Sequence, residues 1–251
     1  MGIAAARRSA AREELRARKL SSKIGGGKEL KLAGPTAWLL RPLGSMDKSE
    51  LMGELAIQLG VVSDTHGLFD PKLSDLFRGS AFILHAGDVC GQEVLDRLES
   101  IAPVLAIFGN CDTPPLSLKL PPWRTEAIAG HRILILHDLG KPELLNPAAS
   151  ALIARERPNI VISGHSHQGR ISIYGEVLFV NPGSAGRKRF KLLRSAAVLS
   201  LSKNEARAAL FSVESAVPSR VGEVAWHRST APANAPKAHP HPLHRSRFGS
   251  G

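Results

Sequence analysis

The chain has 251 residues, 43% of them hydrophobic, and a formal net charge of +11. This length suits one domain with appendages or two small domains, and the apolar share suffices for a sizeable core. No run approaches the ~18 consecutive apolar residues of a membrane-spanning helix, so no membrane partner is expected. Residues 1–55 carry a net +5, residues 56–213 a net +3 and residues 214–251 a net +3. Much of the basicity thus lies in the terminal segments, and charge alone argues only weakly for nucleic acid. The two cysteines, Cys90 and Cys111, are not at disulfide-like spacings. A reducing compartment, and hence a cytoplasmic location, is expected.

In chain order, residues 1–55 read as a basic, disordered extension. A helix could pass through Arg12-Glu13-Glu14-Leu15-Arg16, but too few large apolar residues recur to bury a face. Gly25-Gly26-Gly27 and Gly34-Pro35 break the segment repeatedly, and the apolar core of a secretory signal is missing. Met1, Met46 and Met52 all precede the first strand, which also fits a start codon placed too early. From Ile57 the pattern becomes regular. A strand at 57–62 is followed by a helix with Pro71 near its first turn, packing Leu73, Leu76 and Phe77. A strand at 81–85, a helix at 92–101 with Val94, Leu95, Leu98 and Ile101 on its apolar face, and a strand at 104–108 come next. Pro114-Pro115 and Pro121-Pro122 bracket an irregular stretch. A hairpin then pairs 125–129 with 132–136 through Gly130-His131, which leaves His131 exposed in the turn. A helix at 147–156 leads to a strand at 160–163.

Beyond Gly164 the helices stop. Two hairpins are expected, 170–174 with 176–180 around Gly175, and 196–201 with 206–213 around Lys203-Asn204, giving an antiparallel second half. The domain is expected to span 56–214. Residues 215–251, rich in Ala, Pro and His, read as a disordered tail.

Chemistry-bearing residues fall at the strand ends. Gly60-Val61-Val62-Ser63-Asp64-Thr65-His66-Gly67 ends by presenting a carboxylate and an imidazole two residues apart, on one side of an extended chain. An isolated Asp-x-His also serves simply as a turn. Here further short apolar strands are followed by Asp88, Asn110, His137, and His165 with His167, at intervals a little under the ~30 residues of a β–α–β unit. Strands repeating at that interval run parallel, so all five clusters are expected along one sheet edge, where α/β proteins place their chemistry.

The ordered set Asp64-x-His66, Gly87-Asp88, Gly109-Asn110, His137 and Gly164-His165-x-His167 resembles the calcineurin-like metallophosphoesterases, most closely the small YfcE-type phosphodiesterases. The likeness covers about residues 57–213 and includes the turn Asn181-Pro182-Gly183-Ser184. It implies an α/β fold of the four-layer αββα sandwich type. It further implies one metal held by Asp64, His66 and His167, a second held by Asn110, His137 and His165, and Asp88 bridging the two. Mn²⁺ is the expected ion, with Fe²⁺, Zn²⁺ and Ni²⁺ also admitted; imidazole and carboxylate donors suit such metals. Two ions sharing a hydroxide would hydrolyse a phosphodiester or phosphomonoester of a small phosphorylated substrate. Asp88, Asn110 and Cys111 are the candidate catalytic residues. Many relatives carry His where this chain has Cys111, and the family's His-Gly-His is here His137-Asp138-Leu139, so substrate positioning differs from the family pattern.

Among the neighbours, His85 reads as a buried supporting residue, Asp138 as a group orienting the ligand beside it, and Gly183 as a backbone requirement. Arg187-Lys188-Arg189 reads as a solvated cluster with a secondary claim on anionic substrate, and the tract His239, His241, His244 is given no catalytic role. Metal charge close to Cys111 is expected to lower its thiol pKa. Two other classes fit the resemblance: a non-catalytic scaffold like the retromer subunit of this fold, and a nuclease. Nucleic acid is the less favoured partner, and self-association into a homo-oligomer is left open.

Overall fold

The computed structural model describes residues 56–189 and 191–227. Among the described residues, thirteen strands and four short helices follow one another in this order. β1 (Ile57–Val62), α1 (Lys72–Leu76), β2 (Phe82–His85), α2 (Gln92–Glu99) and β3 (Val104–Ala106) form the first part. α3 (Leu116–Lys119), β4 (Trp123–Ile128), β5 (His131–Leu136), β6 (Gly140–Lys141), β7 (Leu144–Leu145), α4 (Pro147–Glu156) and β8 (Ile160–Ile162) come next. β9 (Arg170–Tyr174), β10 (Val177–Asn181), β11 (Ser195–Leu201), β12 (Glu205–Ser212) and β13 (Ser219–His227) complete it.

Eleven of these strands build a six-stranded sheet, order β13-β12-β11-β1-β2-β3, and a five-stranded sheet, order β4-β5-β8-β10-β9, while β6 and β7 pair with each other. Alternation along the strands explains why the sheets stack. Val61, Leu84, Ile133, Ile135, Ile160 and Ile162 belong to the central cluster between the sheets. Their chain neighbours Val62 and Ile83 turn outward to pack with Leu73, Phe77, Val94, Leu95 and Leu98 of the first two helical segments. On the other side Leu134, Leu136 and Val161 pack with Ala149 and Leu152 of α4. The result is the expected four-layer αββα sandwich, in which strands apolar on both faces are covered on both faces. The helix α4 starts where the sequence indicates. Asn146 Oδ1 accepts the N–H of Ala149 at 2.8 Å, and Pro147 takes the first turn.

Three expectations need correction. The strand ends do not share one sheet edge: β1, β2 and β3 run parallel in the larger sheet, whereas β5 and β8 run parallel in the smaller one. The second half is not wholly antiparallel, since β10 pairs parallel with β8. The strand β13 lies past the expected boundary at 214 and pairs antiparallel with β12, so residues 219–227 belong to the sheet. Its sequence buries Trp226 alone, with 5% exposure, which is why no alternation announces it. Residues 1–55 and the tract His239, His241, His244 lie outside the described residues.

Candidate metal centre

Backbone pairing outruns the strands and carries the polar side chains together. The N–H groups of Asp64, His66 and Gly67 donate to the carbonyls of Gly87, Asp88 and Val89 at 3.0, 3.0 and 2.8 Å. The loop after β1 is thereby zipped to the loop after β2. In the other sheet, Gly164 N–H donates to His137 O at 2.9 Å and binds the ends of β5 and β8 in the same way. Two glycines allow the loops to meet: a Cβ on Gly164 would stand 1.9 Å from Ser63 Oγ and 2.7 Å from Asp64 Oδ2, and one on Gly109 would stand 2.3 Å from Asp88 Oδ1. Five of the residues concerned adopt left-handed backbone, with φ of 53° at Asp64, 45° at His66, 54° at Asp88, 66° at His165 and 57° at His167. Such conformations are costly for L-residues and collect at functional sites.

All seven expected ligand positions come together, in two groups with Asp88 between them. In the first, His66 Nε2 lies 3.3 Å from His167 Nε2, and His167 Nε2 lies 3.2 Å from Asp64 Oδ1. In the second, Asn110 Oδ1 lies 3.0 Å from His137 Nε2 and 2.9 Å from His165 Nδ1. One oxygen of Asp88 faces each group: Oδ1 is 3.4 Å from His137 Nε2, and Oδ2 is 3.8 Å from His66 Nε2. The donor set fits metal ions. Asp64 is fully buried, and its Oδ1 has no hydrogen-bond partner while two imidazole nitrogens point at the same place. A buried carboxylate oxygen without a partner is costly, and a cation is what would satisfy it.

Electrostatics and tautomers follow from the surroundings. Burial, then the Arg189 charge, pushes the His66 imidazole below its usual range, against the pull of Asp88 and Asp64. The neutral ring is the form that binds metal. For His137 burial also pushes down, but hydrogen bonds to Asp88 and to Ala86 O outweigh it and leave the ring above its usual value. His137 Nδ1 donates to Ala86 O at 2.8 Å, so when the ring is neutral, as a metal would require, its proton stays on Nδ1 and Nε2 is the nitrogen left to face the centre. Burial would raise the Asp88 carboxyl, yet hydrogen bonds from His137 and from the Cys111 N–H hold it well below the carboxylate range.

A supporting shell positions these groups. Ser184 Oγ and Gly186 N–H donate to Asp64 O at 2.8 and 3.1 Å, and Asn181 Nδ2 donates to Gly164 O at 2.7 Å and Ser166 Oγ at 3.1 Å. Gly183 has φ 79°, the backbone requirement anticipated for that turn. His85 is buried as expected. Its Nε2 donates to Thr65 Oγ1 at 3.0 Å, Thr65 passes the bond on to Val89 O at 3.1 Å, and burial lowers the ring to about 4, so it stays neutral. Sequence reasoning missed Asp112, a 7%-exposed carboxylate that accepts the N–H groups of Val89, Cys90 and Gly109. The available signal was an acidic residue two positions after Asn110.

Cys111 sits at the exposed rim, where its Sγ accepts from Asn110 Nδ2 at 3.4 Å. Burial and then the Asp88 carboxylate push its thiol up, against the pull of Arg189. Cys90 is pushed up to about 12 by burial and by Asp112 and Asp88. Asp138 is exposed. Its Oδ1 accepts Gly140 N–H at 2.8 Å, and its Oδ2 is 3.9 Å from His165 Nε2. His131, expected in a turn, is fully buried. The turn is made by Ala129 and Gly130, both at positive φ, so His131 opens β5, and its Nε2 donates to Ser202 O at 2.7 Å.

The pattern of the Calcineurin-like phosphoesterase superfamily domain matches residues 57–204. The chain is 32% identical over 131 residues to a probable metallophosphoesterase of Methanothermobacter thermautotrophicus, covering 50% of this chain and 76% of that protein. It is 26% identical over 151 residues to phosphodiesterase YfcE of Escherichia coli, covering 51% of this chain and 79% of that one. Among solved structures, Vacuolar Protein Sorting 29 from Cryptosporidium parvum superposes with a TM-score of 0.59 at 18% identity, over 69% of this chain and 99% of that one. At that identity the likeness speaks for the fold alone.

Proposed function

This chain belongs to the calcineurin-like phosphoesterase superfamily, and from that premise we propose that it is a two-metal hydrolase of small phosphoesters, diesters foremost. Asp64, His66 and His167 hold one ion in this reading, Asn110, His137 and His165 hold the other, and Asp88 spans both. The observation that carries it is Asp88, whose two oxygens face the two donor groups separately. When bound, the two divalent ions supply positive charge for the phosphate and a nucleophile at neutral pH. Mn²⁺ is the favoured ion, with Fe²⁺, Zn²⁺ and Ni²⁺ as the others that these donors suit.

The chain's own groups do the rest. Ala86 O keeps the His137 proton on Nδ1 and its Nε2 turned inward. Cys111 Sγ accepts from the Asn110 amide, keeping Oδ1 toward the two imidazoles, and the Cys111 N–H steadies Asp88. Arg189, the cation whose charge acts on His66, Cys90 and Cys111, is the side chain that draws an anionic substrate to this rim.

The scaffold alternative shares the fold and differs in needing no turnover. Metal-stripped protein reconstituted ion by ion, with bound metal counted and activity measured on phosphodiesters and monoesters, separates the two. Two ions per chain and turnover are expected. Full loading without hydrolysis of any ester would favour the scaffold, and binding of a single ion would remove the bridging role of Asp88.

A further inference from the structure

A cavity of about 670 Å³ opens beside the centre, on the side of the Asn110 group. Asn110, His137 and His165 form its inner end, and Asp138 stands beside them. From there outward the wall changes character. Phe108, Leu136 and Leu152 line it with Trp123, and the α4 face adds the short side chains of Ala148 and Ala151. Residues 148, 151, 152 and 155 share one face of that helix at i, i+3, i+4 and i+7. The two alanines leave open the space that longer side chains would fill. At the outer end the Arg155 guanidinium lies over the Trp123 ring, 4.8 Å from its centroid, and its Nε donates to Glu156 Oε1 at 2.9 Å. This stacked pair is flat and tethered.

We propose that the cavity receives the organic group esterified to the phosphate, and that this group is flat and apolar, one or two rings in size. The proposal rests on the hydrolase reading above and extends it to a substrate class. The space is continuous from the metal-side imidazoles to Trp123, so a phosphate at the inner end puts its ester substituent against the apolar wall. A cavity of about 150 Å³ already takes a benzene ring, so room is not limiting. Sugar hydroxyls or the polar edge of a nucleobase would face mainly Phe, Leu, Ala and Trp side chains between Asp138 at the inner end and Arg155 at the outer one, where Arg155 is already engaged by Glu156 and Trp123, which is unfavourable. An aryl group loses nothing there, and it gains the burial of its faces beside a flat wall.

The test is binding rather than turnover. Calorimetric titration of the metal-loaded full chain with methylphosphonate, phenylphosphonate and 1-naphthylphosphonate should show the aryl compounds bound at least about tenfold more tightly, the return for burying a ring. In Ala151→Phe, which fills the cavity from an exposed helix position, that advantage should collapse while methylphosphonate affinity and metal content stay unchanged. Ala148→Leu makes the same comparison should the first variant fold poorly. Equal affinities in the wild-type protein, an aryl preference that survives both blocking variants, or failure of every phosphonate to bind would overturn the proposal. Selective aryl binding by a chain that hydrolyses no ester would count against the hydrolase reading and leave the cavity assignment standing. Turnover of small esters with no aryl preference would do the reverse.

Discussion

Asp112 accepts three backbone N–H groups, two from the loop that carries Asp88 and one from Gly109 beside Asn110. It thereby clamps one proposed bridging residue to the neighbour that serves the second group. Asp112→Ala leaves those donors unpaired, at roughly 1–3 kcal/mol for each that water does not reach, and frees both loops. Urea denaturation should show a loss on the order of 3 kcal/mol, and metal titration a drop of about 10–100-fold in affinity, as for other groups that orient ligands. Wild-type stability and wild-type metal affinity together would mean that the clamp does not order the loops. At this scale the residues facing the centre were legible because the chemistry dictates their types: carboxylate, imidazole and amide at strand ends leave few other readings. Asp112 was not, since an Asp after Asn-Cys in a loop looks like any turn residue until its three donors are seen. His131 was misread for a related reason: its burial depends on Ser202 and Trp226, both remote in sequence.

Between elements, one buried carboxylate ties three segments. Asp70, just before α1, accepts from Arg194 Nη2 at 2.7 Å and from Lys72 Nζ at 3.3 Å. Lys72 Nζ also reaches Val213 O after β12, and Arg194 also donates to Ala185 O and Gly186 O, next to the turn that holds Asp64. Burial would raise the Asp70 carboxyl, but the Lys72 N–H and then the Arg194 and Lys72 side chains hold it lower than usual. The sign follows: a folded-state value below the unfolded value of about 3.9 favours the folded protein above that pH. The contribution is lost as pH falls through the lower folded value. Asp70→Asn should therefore cost stability at neutral pH, with the gap to wild type shrinking below about pH 3.9; a gap of constant size down to acid unfolding would show that the charge plays no part. The elements themselves were legible where apolar residues ran or alternated within a β–α–β interval. The assignment of β5 and β8 to a second sheet, and the insertion of β10 beside β8, were not, because strand order is decided by packing between segments far apart in the chain.

For the molecule as a whole, β13 closes the larger sheet beside β12 and covers part of the central core with Trp226. A chain ended at 214 leaves β12 as a bare edge and uncovers that core, so it should melt lower and aggregate, whereas a chain ended after 227 should behave like the full chain. Equal melting temperatures and equal solubility for the two truncations would show that β13 is dispensable. The left-handed residues have a consequence of a different kind. At each of Asp64, His66, Asp88, His165 and His167, glycine would adopt the observed φ without steric penalty, and the backbone alone would gain on the order of 1 kcal/mol. Random variation screened for heat resistance only would therefore be drawn toward glycine at the three histidines, whereas Asp64 and Asp88 also accept the N–H groups of His165 and Cys111 and would lose those bonds. A lineage that needed nothing but the shape of this sandwich would have a route to a firmer one at those histidines, and this chain has not taken it at any of the three.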